Sequence, residues 1–283
     1  MYSMMTYKLQ RWILGLTVLL FISSCGIFGS DGEKGNVQVK MHDNPALYSE
    51  VNVEIEEVAV KSSGEGESEG WVTISNEPMT VDVTTLINGN FATLANADLE
   101  AGSYSQIRVI FGTNNSLRMS GSNYDLQLSN EAEEGVVMNV NLNVDAESEA
   151  TFLLDFDLSK SIQAALDLES GFVLSPVIEV RRAEQTGNIK GSVDPAKAKP
   201  WIYALNNSDT VSSTLADTSS GEFQLSSLEE RSYDVYIEPT DTLYNDTTIT
   251  DVQVEARETN NIGEIELSMK DTTNSGPIEP QYR

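Results

Sequence analysis

Four things are scarce in this sequence. Cysteine occurs once, at Cys25, so no disulfide can form within the chain and stability must come from apolar cores. Histidine also occurs once, at His42. A zinc site draws three or four ligands from imidazoles, thiolates and carboxylates, and this chain offers almost none of the first two. A Ser-His-Asp triad would have to use His42, and no Gly-x-Ser-x-Gly elbow accompanies it. Basic residues are scarce too: 17 Lys and Arg stand against 44 Asp and Glu, for a net charge of −27. Such a surface repels nucleic acid and anionic lipid, so nucleic acid is not an expected partner. The excess charge also keeps a protein soluble. Finally, beyond residue 22 no apolar run approaches the roughly 20 residues that a membrane-spanning helix needs.

The one apolar run lies at the start. Lys8 and Arg11 precede Trp12–Ile22, eleven residues without charge. That length suits the core of a secretory signal peptide, about 7–15 residues. Ile22-Ser23-Ser24-Cys25 follows and resembles the bacterial lipobox. The resemblance implies cleavage of residues 1–24, a diacylglycerol on the Cys25 thiol, and a fatty acyl chain such as palmitate on the new amine. Each buried CH₂ contributes about 0.8 kcal/mol, and one chain anchors only marginally, so several chains on one residue are needed for a durable anchor. The alternatives are an ordinary secretory signal whose cysteine happens to lie near the cleavage site, or a membrane helix. Gly26 resembles the residue that follows the cysteine in lipoproteins sorted to the outer membrane. The expected location is therefore the cell envelope, lipid-anchored to the outer membrane, with the side it faces left open. Cleavage takes two from the basic residues and none from the acidic ones, so the net charge falls to −29. Residues 25–35 are glycine-rich and read as a flexible tether.

Strand signals dominate the rest. "NVQVKM" (36–41), "VNVEIEEVAV" (51–60), "YSQIRVIF" (104–111) and "VMNVNLNV" (137–144) alternate apolar and polar residues, the period of half-buried strands. Turn formers such as "INGN" and "SGSN" separate them. Only 159–170 has helical spacing, with Ile162, Ala165 and Leu166 on one face and Ser159 as a cap. The expected fold is all-β: two antiparallel β-sandwich domains, the first over 36–182 with one short helix, the second over 186–267. "EQTGN" (184–188) marks the boundary, and polar residues 268–283 read as a disordered tail.

Two likenesses follow from quoted residues. Gly187-x-Ile189-x-Gly191-x-Val193, "TSSGEFQLSSL" (218–228), Tyr233-x-Val235 and "NIGEIEL" are similar to the carboxypeptidase-regulatory-like, transthyretin-like sandwich, grouped with starch-binding-like (carbohydrate-binding-like) folds. That likeness implies a stalk or spacer without catalytic residues. It also puts Gly221 in a tight turn and turns Phe223, Leu225 and Leu228 to the core. Residues 35–182 resemble domain of unknown function 4382 of bacterial lipoproteins. The marks are "VKMHDNPALYSEVNVEIEEVAV", "GWVTI", Gly102-x-Tyr104-x-x-Ile107-Arg108, "FLLDFDLSKSI" and "LSPVIEV". Asp43-Asn44-Pro45 fits its Asp-x-Pro turn, and no activity comes with this likeness.

Two sets of residues suggest chemistry. In "LLDFDLSKS", Asp155 and Asp157 share one strand face and Ser159 continues the spacing, like the first half of a calcium loop, with Asp43 or Glu149 as further ligands. The bland reading is that one aspartate caps the helix or pairs with Arg108 or Lys160. A glycosidase pair of acids is a third possibility. Trp71, Trp201 and Tyr203 are candidate sugar-stacking residues, against the reading that they fill the cores. The sequence thus points to a non-catalytic, lipid-anchored binding or adhesion module for an extracellular glycan or an envelope protein. The alternatives are a structural protein of the outer membrane without a small ligand and a carboxylate-based hydrolase. No cofactor is called for, calcium excepted.

Overall fold

The structure is a computed structural model, and it describes residues 33–271 except 46–47, 65, 67–68 and 165–170. Cys25 and the expected signal peptide over 1–24 lie outside the described residues. The chain is built almost wholly of strands, around two separate apolar cores.

The first core lies between two sheets. One has the order β13 (Ile178–Arg182), β10 (Glu149–Asp157), β1 (Lys34–Asn44), β5 (Ala92–Glu100). The other runs β11 (Ile162–Ala164), β12 (Phe172–Leu174), β8 (Ser122–Leu128), β7 (Ser116–Met119), β2 (Glu50–Ser62), β6 (Gly102–Phe111), β9 (Val136–Val144). The short strands β3 (Trp71–Ser75) and β4 (Met79–Asp82) also pair with β2. The period of two does what the sequence predicts. Val37, Val39 and Met41 of β1 and Phe152, Leu154 and Phe156 of β10 point into the core. Each such burial contributes roughly 1.5–3 kcal/mol. The intervening residues His42, Asn44, Asp155 and Asp157 therefore fall on the sheet's other face.

The sandwiches are not purely antiparallel. β1 runs parallel to β10, with His42 opposite Asp155 and Asn44 opposite Asp157, and β12 runs parallel to β8. Parallel partners cannot be joined by a hairpin, and β1 and β10 are separated by more than a hundred residues of chain. The strand begins at Lys34, so Lys34 and Gly35 belong to the sheet rather than to the expected tether. A Cβ on Gly35 would lie 2.5 Å from the Asp145 carbonyl, which is why glycine stands there.

The expected helix over 159–170 is corrected. One turn, α2 (Leu158–Ser161), is followed at once by β11, whose Ile162 pairs with Leu174 and is buried in the first core. Pairing with β12 outweighs the local helical spacing; residues 165–170 lie outside the described residues. A further single turn, α1 (Asn130–Glu133), leads into β9.

β13 ends at Arg182, one 3-10 turn covers Ala183–Gln185, and the second sandwich starts with β14 (Thr186–Asp194). Its sheets are β17 (Glu222–Glu229), β14, β20 (Thr259–Glu266), and β16 (Asp209–Leu215), β15 (Pro200–Asn206), β18 (Arg231–Pro239), β19 (Thr247–Val254). β20 lies parallel to β14. Ile189, Ile202, Ala204, Leu225, Val235 and Ile237 are fully buried between them. Phe223, Leu225 and Leu228 face this core, and Gly221 holds φ +75° with Val193 O 2.2 Å from where a Cβ would stand. The chain stays ordered into the expected tail: Asn245 N donates to Ser268 O, and Lys270 N to Leu243 O. Residues 272–283 of that tail lie outside the described residues.

Three side chains tie the sandwiches together. Asn88, at φ +55° in the "INGN" turn, donates to Leu215 O (2.7 Å) and accepts from Thr214 Oγ1 (2.9 Å) and Gln224 N (3.1 Å). Asn44 accepts from Ser213 N (2.8 Å). Arg181 donates to Ser227 O (3.3 Å).

Candidate functional site

The outer face of the first sheet and the outer face of β15–β18 enclose a cleft of about 920 Å³, within the range of ligand pockets. Asn44, Asp155, Asp157 and Arg181 line it from the first sandwich; Trp201, Tyr203 and Glu238 line it from the second. Five of the residues singled out in the sequence thus meet in one place: Asp155, Asp157, Ser159, Trp201 and Tyr203.

The aromatic wall follows from β-strand alternation. Ile202 and Ala204 fill the second core, so Trp201 and Tyr203 turn outward and are half-buried, not core residues. Their rings stack with centroids 6.2 Å apart and planes 14° apart. Across the sheet Tyr203 pairs in register with Tyr236, 5.9 Å away at 27°. Tyr203 is the middle of this three-ring ladder, and Trp201 at its end keeps one face that the ladder does not use. The hydroxyls are spent on acids: Tyr203 donates to Glu238 Oε2 (3.1 Å) and Tyr236 to Asp246 Oδ2 (3.0 Å). Burial and the Glu238 carboxylate push the Tyr203 phenol up to about 12.

The opposite wall is a network of ions. Asp155 is buried; its Oδ1 accepts from Asn44 Nδ2 (2.7 Å) and its Oδ2 from Arg181 (3.2 Å). Burial raises its pKa, while His42 and Arg181 pull the other way. Arg181 also reaches Glu179 (2.5 Å). Asp157 caps α2 through Lys160 N (3.1 Å), accepts from Ser159 Oγ (2.6 Å) and pairs with Lys160 Nζ (2.7 Å). Burial pushes Asp157 up, but its hydrogen bonds to Lys160 and Ser159 outweigh that and hold it below the usual carboxylate range. The bland reading of these aspartates is therefore the observed one for Asp157, with Lys160 as partner; Arg108 pairs with Glu57 instead (3.0 Å).

The expected calcium ligands are not assembled. Asp155 and Asp157 share a face, yet each already holds a cation, which a calcium ion would have to displace. Asp43 is buried on the core side of β1 and Glu149 sits six residues from Asp155, about 20 Å along β10. Among the described residues no group of three or more His, Cys, Asp or Glu side chains could hold a metal ion. His42 is buried against Phe91, with ring centroids 5.3 Å apart. Burial lowers its pKa, so it is neutral at pH 7, and its Nε2 has no hydrogen-bond partner among the described residues.

Trp71 lies away from the cleft, on the outer face of the second sheet. Arg108 stands 4.5 Å and Lys61 Nζ 5.6 Å from its ring centre. Ala59, opposite Arg108 on β6 and Thr73 on β3, is fully buried.

The sequence reading missed Asn44, Arg181, Tyr236 and Glu238. Tyr236 alternates with Val235 and Ile237, a signal that it faces away from the core, but only the register of β18 on β15 brings it to Tyr203.

Three comparisons with known proteins bear on the chain. A family model described as "Domain of unknown function (DUF4382)" matches residues 34–176. No curated protein matches. Solved structures similar in part include GBS52, the minor pilin of Streptococcus agalactiae, at 13% identity over 85% of this chain and 99% of that one, with a TM-score of 0.25. BcpA, the major pilin subunit of Bacillus cereus, is 13% identical over 84% of this chain and 71% of that one, with a TM-score of 0.22. The shaft pilin SpaA of Lactobacillus rhamnosus GG is 8% identical over 84% and 98%, with a TM-score of 0.21. At these identities and scores the likenesses carry nothing about function.

Proposed function

The chain belongs to the DUF4382 family, whose model matches just over half of it and brings no activity with it, so from the cleft itself we propose a non-catalytic, lipid-anchored envelope protein that captures a glycan between its two sandwiches. The observation that carries this reading is the outward turn of Trp201 and Tyr203. A β-strand places large apolar rings in the core when it can; here Ile202 and Ala204 take the core and the rings wall a cleft. Aromatic rings beside amides, hydroxyls and carboxylates suit sugar rings, which have one apolar face and polar edges. The anchor in this reading is the acylated Cys25 in the outer membrane. The second sandwich, carboxypeptidase-regulatory-like by resemblance, then supplies half of the site rather than a mere spacer. The ion pairs of Asp155 and Asp157 give both acids structural partners, which favours binding over hydrolysis.

The test is a panel of polysaccharides presented to the full chain in detergent. Saturable binding that Trp201→Ala removes supports the reading, and absence of binding across the panel refutes it. Labelling with radioactive palmitate, lost in Cys25→Ser, checks the anchor separately.

A further inference from the structure

Resting on that reading, we infer that the cleft selects a cationic glycan, one whose sugars carry free protonated amines, over its neutral counterpart. The charged groups lining the cleft are Asp155, Asp157, Glu179 and Glu238 against Lys160 and Arg181. Four carboxyl groups face two cations. Arg181 serves Asp155 and Glu179, and Lys160 serves Asp157. Glu238 is the one left over: among the described residues it has no Lys or Arg within ion-pair distance, and its hydrogen-bond partner is the Tyr203 hydroxyl. Its place in the fold is specific. Glu238 is the cross-strand partner of Trp201 on β15–β18, so a carboxylate and a ring that the ladder leaves half open stand side by side on the same face.

An amine seated there meets both attractions at once. The carboxylate gives a charge-assisted hydrogen bond, and the indole gives a cation–π contact, strongest for tryptophan. The Tyr203 hydroxyl is already committed to Glu238 as donor, so it offers an incoming group only its acceptor lone pairs; an ammonium has three N–H groups to share between these and the carboxylate, where an acetamide has one. The protein's net charge of −27 does not by itself explain such a preference. At physiological ionic strength charges are screened beyond about 8 Å, so the carboxylates within the cleft decide it.

The same polymer backbone with and without charge tests this. The full chain in detergent is titrated calorimetrically with a glucosamine hexamer and with its fully N-acetylated form, at a pH where the amines are protonated. The expected result is a preference for the free amine on the order of tenfold, reduced to near unity in Glu238→Gln. Glu131→Gln removes the same charge from an exposed site on α1, remote from the cleft, and should leave the preference intact. Equal affinity for the two hexamers overturns the inference and leaves glycan capture standing. Binding of neither overturns the inference, while capture itself is decided separately by the polysaccharide panel. A preference that Glu238→Gln leaves unchanged, or that Glu131→Gln lowers equally, shows a diffuse surface effect and overturns the inference. So does equal displacement by poly-lysine, which would make the cleft a receptor for basic polypeptide. Thermal melts of both variants, matched to the parent, exclude misfolding as the cause.

Discussion

Asp43 should make the first sandwich more stable as the solution becomes more acidic, the reverse of the usual carboxylate. It is buried on the core side of β1, and neither carboxyl oxygen has a hydrogen-bond partner among the described residues. Burial pushes its pKa up to about 9, against a downward pull from the nearby Leu158 backbone N–H, with the carboxylates of Asp155, Asp157 and Asp82 adding to the rise. In the unfolded chain it titrates near 3.8. Between these values the native state holds a proton that the unfolded state has released, so stability falls as pH rises, by about 1.4 kcal/mol per pH unit. From pH 5 to 8 the loss is at most about 4 kcal/mol, and relaxation around the site should leave about half, roughly 2 kcal/mol. Asp43→Asn keeps the shape and removes the proton. The variant should match the parent near pH 4 and exceed it by about 2 kcal/mol at pH 8, roughly 4–8 °C in Tm. His42, neutral when folded, loses stability in the opposite direction as pH falls below its unfolded value; the effect is common to both proteins and cancels in the difference. Urea unfolding followed by tryptophan fluorescence at several pH values gives the two slopes. Parallel slopes from pH 5 to 8 would show that Asp43 is ionised in the folded protein and would refute the reasoning.

Asn88→Gly keeps the left-handed backbone but deletes three hydrogen bonds across the joint, about 2–3 kcal/mol together; calorimetry should then resolve two unfolding transitions, and a single transition with unchanged Tm would count against Asn88 as the tie. Glu238→Gln should bring the Tyr203 phenol down from about 12 in an ultraviolet pH titration, since a neutral amide no longer opposes the phenolate; an unmoved titration would mean that burial alone holds it up. Calcium and EDTA should leave Tm unchanged, because Arg181 and Lys160 already occupy Asp155 and Asp157; a calcium-dependent rise abolished by Asp155→Asn would overturn that account.

Much of this architecture is legible in the order of residues alone, and for a definite reason. Alternation assigns residues to faces, and it correctly puts Asp155 with Asp157 and Trp201 with Tyr203. It does not say which face is covered. Ile202 and Ala204 against Trp201 and Tyr203 is a choice between two apolar sets, and only the packing of β14 and β17 beneath the sheet decides it. Register is likewise invisible locally: Tyr236 joins the ladder, and His42 meets Asp155, through pairings between strands far apart in sequence. Asn44 and Asn88 read as ordinary turn residues, yet their amides reach the other sandwich. The helix over 159–170 fails where spacing suggests one partner and β12 supplies another.

The run of β1 has a mechanical consequence. Its first residue, Lys34, is where the chain enters the fold, and its last, Asn44, is in the cleft wall, about 35 Å away. β10 flanks it on one side and β5 on the other. A pull on the chain ahead of Lys34, opposed by a ligand held in the cleft, loads this one strand along its length. Hydrogen bonds to both neighbours then lie across the direction of force and must shear together instead of opening one by one. In the reading proposed above, the strand that carries the cleft wall is thus the tension member between the anchor and the captured ligand.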